Sequence, residues 1–213
     1  KKYFKKIGSS FTWYLIQNCS SYKDMEVSGT WKKREYEGLV PSGIRRYIPL
    51  VYDKLVHSIL TKTVDNPNLE KFKVETSSDL HKYTKRDLIV DEKDDEHQFK
   101  LIHTPKQTVW ASRAHKFQKK YKVFISTTDK YKAFVDNCGM TQSIAFIRCS
   151  SKKKATEFMK MLDHPLYIFI NNICRWGNFN NIRILQNFPI STTENPYECF
   201  GITEEEQKFI TEN

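Results

Sequence analysis

The sequence predicts an α+β fold: a small mixed or antiparallel sheet with a helical hairpin packed beside it, preceded by a helical connector. Three observations predict it. From Lys100 onward the runs FKLIHT, TVWASR, YKVFIST, KAFVDN and QSIAFIRC are short, rich in β-branched and aromatic residues, and separated by turn-like residues, the pattern of a small sheet. Ser150-Ser151 then opens a helix through KKKATEFMKML, and beyond His164-Pro165 a second runs through LYIFINNICRW toward Gly177, with Pro165 separating the two. Ahead of the sheet, IRRYIPLVYDKLVHSILTKTV places Leu50, Leu55, Ile59 and Leu60 near helical spacing. With Pro49 close to a first turn, that segment reads as a helix of about three to four turns.

The remaining elements follow in order. Residues 3–18 alternate apolar and polar positions around Phe4, Ile7, Phe11, Trp13 and Leu15, which suggests one or two strands broken at Gly8-Ser9-Ser10 and belonging to another sheet. Gly38 to Gly43, containing Pro41, reads as a turn. Asp65 to Glu96 is polar and charge-mixed and reads as linker and surface loop, with Asp91-Glu92-Lys93-Asp94-Asp95-Glu96 as a solvated run. Near the end, Thr203-Glu204-Glu205-Glu206 is a capping box in which Thr203 and Glu206 satisfy each other's backbone donors and open a last helix. No internal repeat of fixed period is present.

Composition narrows the function classes. A chain of 213 residues with 39% hydrophobic and 14% aromatic content is that of a folded protein. The first residue is Lys1 and the opening KKYFKKIGSSFTWYLIQN has no long apolar run, so it reads as neither signal peptide nor membrane span, and the chain as a fragment of something longer. Net charge of +10, from 35 Lys and Arg against 25 Asp and Glu, favours a polyanionic partner such as nucleic acid, with an anionic membrane surface as the alternative. Cys19, Cys138, Cys149, Cys174 and Cys199 are odd in number and far apart, so they indicate neither a zinc knuckle nor a disulfide framework and fit a reducing, cytoplasmic compartment.

Local catalytic constellations are scarce. His57, His81, His97, His103, His115 and His164 form no HExxH or HxH pair, and no Walker loop, GxGxxG or GxSxG occurs, so no catalytic residue and no metal ligand is assigned. The nearest approach to a nuclease Glu-x-Lys element is Asp91-Glu92-Lys93, inside the solvated run. Asn195-Pro196-Tyr197 lacks the second proline of an adenine-binding Asn/Asp-Pro-Pro-aromatic motif and reads as a turn.

Nucleic-acid signals are more plentiful. Between Lys106 and Lys132, basic residues are interleaved with Trp110, Phe117, Tyr121 and Tyr131, a pattern that serves phosphate contact and stacking or, equally, a basic face over an ordinary core. Lys152-Lys153-Lys154 at a helix start has the same two readings. Candidate base readers are the loop polars Thr127, Thr128, Lys130, Asn137, Thr141, Gln142 and Ser143, each cluster following a β-rich run; hairpin chemistry uses the same residue types. Candidate phosphate contacts are Arg113, Lys116, Lys119, Lys120 and Arg175, with Lys130 able to serve there as well. Trp176, Phe179 and Ile182 read as core residues around the helical hairpin.

Several blocks together resemble the C-terminal half of type II and type IIG restriction-modification DNA adenine-N6 methyltransferases, including versions carried by large DNA viruses. FKKIGSSFTWYLIQN is similar to the family's last catalytic-domain motif. The stretch from TPKQTVWASR to QSIAFIRC looks like the sheet of its target-recognition domain, LDHPLYIFINNICRWGNFNNIRILQNFPI like the helix-rich segment that follows, and YECFGITEEEQKFITEN like its C-terminal turn and acidic-start helix. The blocks keep the family's order over the larger part of the chain. The resemblance implies that 1–20 ends a methyltransferase catalytic domain, 21–64 is the helical connector and 65–213 is a target-recognition domain that reads double-stranded DNA. Phe4 or Phe11 would be the aromatic of the flipped-base pocket, an ordinary core role being the other reading. No cofactor is implied for this chain; S-adenosylmethionine is implied for the complete enzyme, whose catalytic domain or subunit would be the protein partner. No membrane partner is implied, and the expected location is cytoplasmic, in a host cell or a viral factory. A fused restriction endonuclease-methyltransferase and a non-enzymatic basic interaction module are the alternatives.

Overall fold

The computed structural model describes residues 24–32, 34–40, 49–128, 130–175 and 179–213. In chain order these residues form β1 (Met25–Trp31), β2 (Arg34–Val40), α1 (Lys54–Lys62), β3 (Val74–Glu75), β4 (Ile89–Val90), β5 (Phe99–Thr104), β6 (Gln107–Ala111), β7 (Lys122–Ser126), β8 (Ala133–Asp136), β9 (Gly139–Met140) and β10 (Ile144–Arg148). Five helices follow: α2 (Lys152–Leu162), α3 (Pro165–Ile173), α4 (Ile182–Leu185), α5 (Pro196–Cys199) and α6 (Glu204–Glu212). The fold is α+β, and its sheets are antiparallel apart from one parallel pairing of β5 with β9.

The β-rich runs form two four-stranded sheets, ordered β3-β10-β7-β8 and β4-β6-β5-β9. The central strand β7 is buried along its whole length, and its alternation sorts residues between two layers. Val123 and Ile125 join Ala145 and Ile147 in the main core beneath the helices, where α2 lies across β7 and β8. Phe124 and Phe146 point the other way, into a smaller core with Ile102 and Met140 between the two sheets. Leu101, one residue from Ile102, faces outward from the second sheet and is covered by Leu80 and Ile89.

Helix ends follow their sequence signals. Ser151 caps α2, His164 caps α3 with Pro165 in its first turn, and Thr203 and Glu206 form the expected capping box on α6. The Glu206 carboxylate also takes both bonds from the Lys62 ammonium, at 2.9 and 2.8 Å, tying α6 to α1. Asn195-Pro196-Tyr197, expected as a turn, starts the short α5 with Asn195 as cap.

Three expectations are corrected. The connector is not purely helical: Met25–Trp31 and Arg34–Val40 pair as the hairpin β1-β2, and Gly38 belongs to β2 rather than to a turn. A Cβ at Gly38 would come within 2.6 Å of the Tyr52 carbonyl oxygen, so that close approach requires glycine. The helix after it is shorter than expected, because Asp53 caps it by accepting from the Val56 N–H at 2.9 Å, leaving Pro49 outside. Its buried face, Val56, Ile59 and Leu60, belongs to the main core. Asp65 to Glu96 is not merely linker: Phe72, Val74 and Leu80 are buried, and β3 and β4 edge the two sheets. Its charge run 91–96 is exposed as expected. The predicted strands in 3–18, with Phe4 and Phe11, lie outside the described residues, as does Trp176.

Candidate nucleic-acid interface

The candidate residues divide between the two ends of β7, about 13 Å apart for a strand of this length. At the Lys122 end lies the turn 115–120, which carries Lys116, Lys119 and Lys120 at the surface. Gln118 N–H donates to the His115 carbonyl at 2.8 Å, Lys120 N–H donates to that of Phe117 at 3.3 Å, and Lys119 adopts a left-handed φ of 62°. Asn137 is exposed at this same end, since β8 runs antiparallel to β7 and Asp136 faces Lys122.

What holds the turn is a residue that composition had grouped with the surface cations. Lys122 is fully buried, and its ammonium donates to the carbonyl oxygens of Phe117 at 2.6 Å, Asn137 at 3.4 Å and Lys120. Burial pulls its pKa down to about 8. Lys122 therefore cannot meet phosphate; it fastens from inside the loop that displays its neighbours. Gly139 completes the closure, because a Cβ there would lie 2.5 Å from His115 Cβ and 2.6 Å from Leu101 Cδ2.

Arg113, expected on phosphate, is engaged within the protein. Its guanidinium donates to the Asp79 carboxylate at 2.9 Å and to the Asp79 carbonyl at 3.2 Å, and this bond is the main reason that the Asp79 pKa falls to about 2. Half its side chain stays exposed, so a phosphate contact there would have to compete with Asp79. Lys116 keeps its ammonium outside, 5.0 Å from the Phe117 ring centre, while its backbone N–H donates to Asp79 at 3.0 Å.

Beside this turn the fold brings together Ser77, His115 and Asp79, the residue types of a hydrolase triad. Their geometry is wrong for one. His115 Nδ1 accepts from the Phe117 N–H at 3.1 Å, which puts the proton on Nε2, and Nε2 donates to Ser77 Oγ at 2.9 Å. A serine receiving a proton from histidine is not activated by it. Burial moves the His115 pKa down to about 4, so the ring is a neutral strut between the segment 77–79 and the turn.

At the Ser126 end, two of the candidate loops meet. Thr127 Oγ1 donates to the Ser143 carbonyl at 2.7 Å, and Asn180 N–H donates to the Thr127 carbonyl at 2.9 Å. Thr128 pairs with Phe179 in an isolated antiparallel bridge, and Lys130 is exposed. Beneath them Asn180, itself buried, donates from Nδ2 to the Ser126 carbonyl at 2.7 Å and accepts from Asn171 at 3.0 Å. Arg175 is half-buried just past the end of α3, in the segment leading toward Phe179.

Two proposed base readers are spent on structure. Thr141 is fully buried, with its hydroxyl 2.7 Å from His103 Nδ1, and cannot touch a base edge. Gln142 accepts from the Lys82 N–H at 3.0 Å and donates to Ser143 Oγ at 3.1 Å, which fixes its amide. Hairpin and loop chemistry took these residues. Phe179 is corrected in the opposite sense: expected in the core, it is 66% exposed. Ile182 does pack against the main core. Apart from the alternation of aromatic and polar residues in WGNFNN, no sequence signal would have found Phe179.

Among the described residues, no group of three or more His, Cys, Asp or Glu could hold a metal ion, and no helix is long and apolar enough to cross a membrane. No protein-family model, curated protein or solved structure significantly matches the chain.

Proposed function

We propose that this chain recognises a sequence in double-stranded DNA, as the specificity portion of a site-specific DNA adenine-N6 methyltransferase whose catalytic domain or subunit binds S-adenosylmethionine. The observation that carries the DNA reading is the meeting of Thr127, Thr128, Lys130 and Ser143 at one end of a buried strand, in a chain of net charge +10. The methyltransferase context is supported by the order of the sequence blocks. Such an enzyme must extrude its target base, and a separate basic module can hold the duplex and read its neighbours meanwhile.

Roles follow from what each side chain has left to offer. Lys116, Lys119, Lys120 and Lys130 supply sequence-blind phosphate attraction. The half-buried Thr128 and the exposed Asn137 have a hydroxyl and an amide with which to address base edges. Thr127, Gln142 and Ser143 hold the ledge on which Thr128 stands.

Binding to a panel of duplexes over a range of salt tests this division. Lys119→Ala and Lys120→Ala are each expected to weaken binding to every duplex and to reduce the slope of log K against log salt by about 0.9. Thr128→Ala is expected to leave the slope unchanged and to relax discrimination at one base pair by roughly tenfold. Identical losses on all duplexes for all three variants would overturn the assignment.

A further inference from the structure

Phe179 presents an aromatic ring on anchored backbone. Its main chain is held by the bridge to Thr128, and the next residue, Asn180, binds Thr127 through its N–H and Ser126 through its buried side chain. The side chain is nevertheless 66% exposed. Its partner across the bridge is a threonine, and two residues further along the sequence stands the exposed Lys130. The hydrogen bonds run on from Thr127 through Ser143 to the buried Thr141 and His103, and the ring of Tyr83, 57% exposed, stands 6.1 Å from that of His103.

We propose that Phe179 is a stacking residue that packs against an unpaired base of bound DNA, with Lys130 on the adjoining phosphate. An exposed flat apolar face on anchored backbone, in a chain of net charge +10, suits a ligand whose flat rings are joined by anionic links, and stacking gains most where the base has lost its neighbour in the duplex. A protein partner would instead be met by a contiguous apolar surface; among the described residues the other exposed large hydrophobic side chains are Met25 and Leu39, neighbours in the hairpin β1-β2, and Tyr83. The inference rests on the DNA reading above.

The test compares the whole chain with Phe179→Ala and Leu39→Ala on two labelled duplexes, one fully paired and one with a central two-nucleotide bubble. The unaltered chain and Leu39→Ala are expected to prefer the bubble. Phe179→Ala is expected to lose about tenfold on the bubble, much less on the paired duplex, with unchanged salt slope and melting temperature. If the unaltered chain binds neither duplex, the DNA reading fails and this inference with it. If it binds DNA but Phe179→Ala retains the full preference for the bubble, or the unaltered chain shows none, the stacking role fails while the DNA reading stands.

Discussion

Replacing Lys122 with methionine is expected to lower the stability of the protein by about 3 kcal/mol, which for a chain of this size lowers the melting temperature by about 10 °C. Methionine fills much of the same space and removes a costly buried charge. It also leaves the carbonyls of Lys120 and Asn137 without this donor, and losing a hydrogen bond to a charged group costs about 1.5–3 kcal/mol. The loss of donors wins because those carbonyls belong to backbone that cannot turn away. Thermal melts against the unaltered protein measure the difference.

The same variant carries a pH signature. The lysine pKa is about 8 in the folded protein against the ordinary 10.5, so between those values the unfolded chain binds the extra proton. Stability from this group therefore rises as pH climbs through that window. It is lost as pH falls through the folded value. Methionine has no such term, so the gap between the two proteins should widen from pH 8 to pH 10.5. A constant gap would mean that Lys122 is not titrating from a buried position.

Asn180→Ala is expected to cost a similar amount, about 3 kcal/mol, because it removes both bonds to Ser126 and the one from Asn171. Asn171→Ala removes only the single bond between the two amides; it leaves Asn180 Oδ1 without that donor but also removes the buried Asn171 Oδ1 that has no partner, so about 1 kcal/mol is expected. Urea melts of both variants give that ratio. Because Asn180 holds the backbone beside Thr128 and Phe179, its loss should also reduce DNA discrimination, whereas Lys122→Met should chiefly weaken sequence-blind binding through the turn 115–120. Equal stability losses for Asn180→Ala and Asn171→Ala would contradict the clamp.

The strands from Phe99 to Arg148 and helices α2, α3 and α6 were legible because their signals are local: β-branched runs, a serine cap, a proline in a first turn and a capping box. The hairpin β1-β2 was not. Its turn at Lys32 takes a φ of 45° without the Asn-Gly or Asp-Gly that usually marks such a turn, and most of its residues are exposed. Phe72, Val74 and Leu80 were hidden for another reason. Each stands nearly alone in a polar stretch, and only the sheet edge and face they cover make them core.

In the candidate site, the residue types were visible and their employment was not. Thr127 and Ser143 do meet, because the loop after β7 lies beside the residue that leads into its neighbour β10. Lys122 looked like its neighbours in a basic run until alternation within β7 turned it inward. Thr141 and Gln142 looked free until His103 and Lys82, distant in sequence, claimed their polar atoms. Hydrogen bonds across such separations leave no local trace, which is why polar loop composition names more candidates than a fold leaves available.

The most direct measurement of the central claim is selection of random duplex DNA on the chain at low and moderate salt, followed by sequencing of what is retained. A short recurring site containing an adenine, sharper at moderate salt as sequence-blind attraction weakens, is expected of a target-recognition domain. DNA retained without any sequence preference, or no retention at either salt, would contradict it.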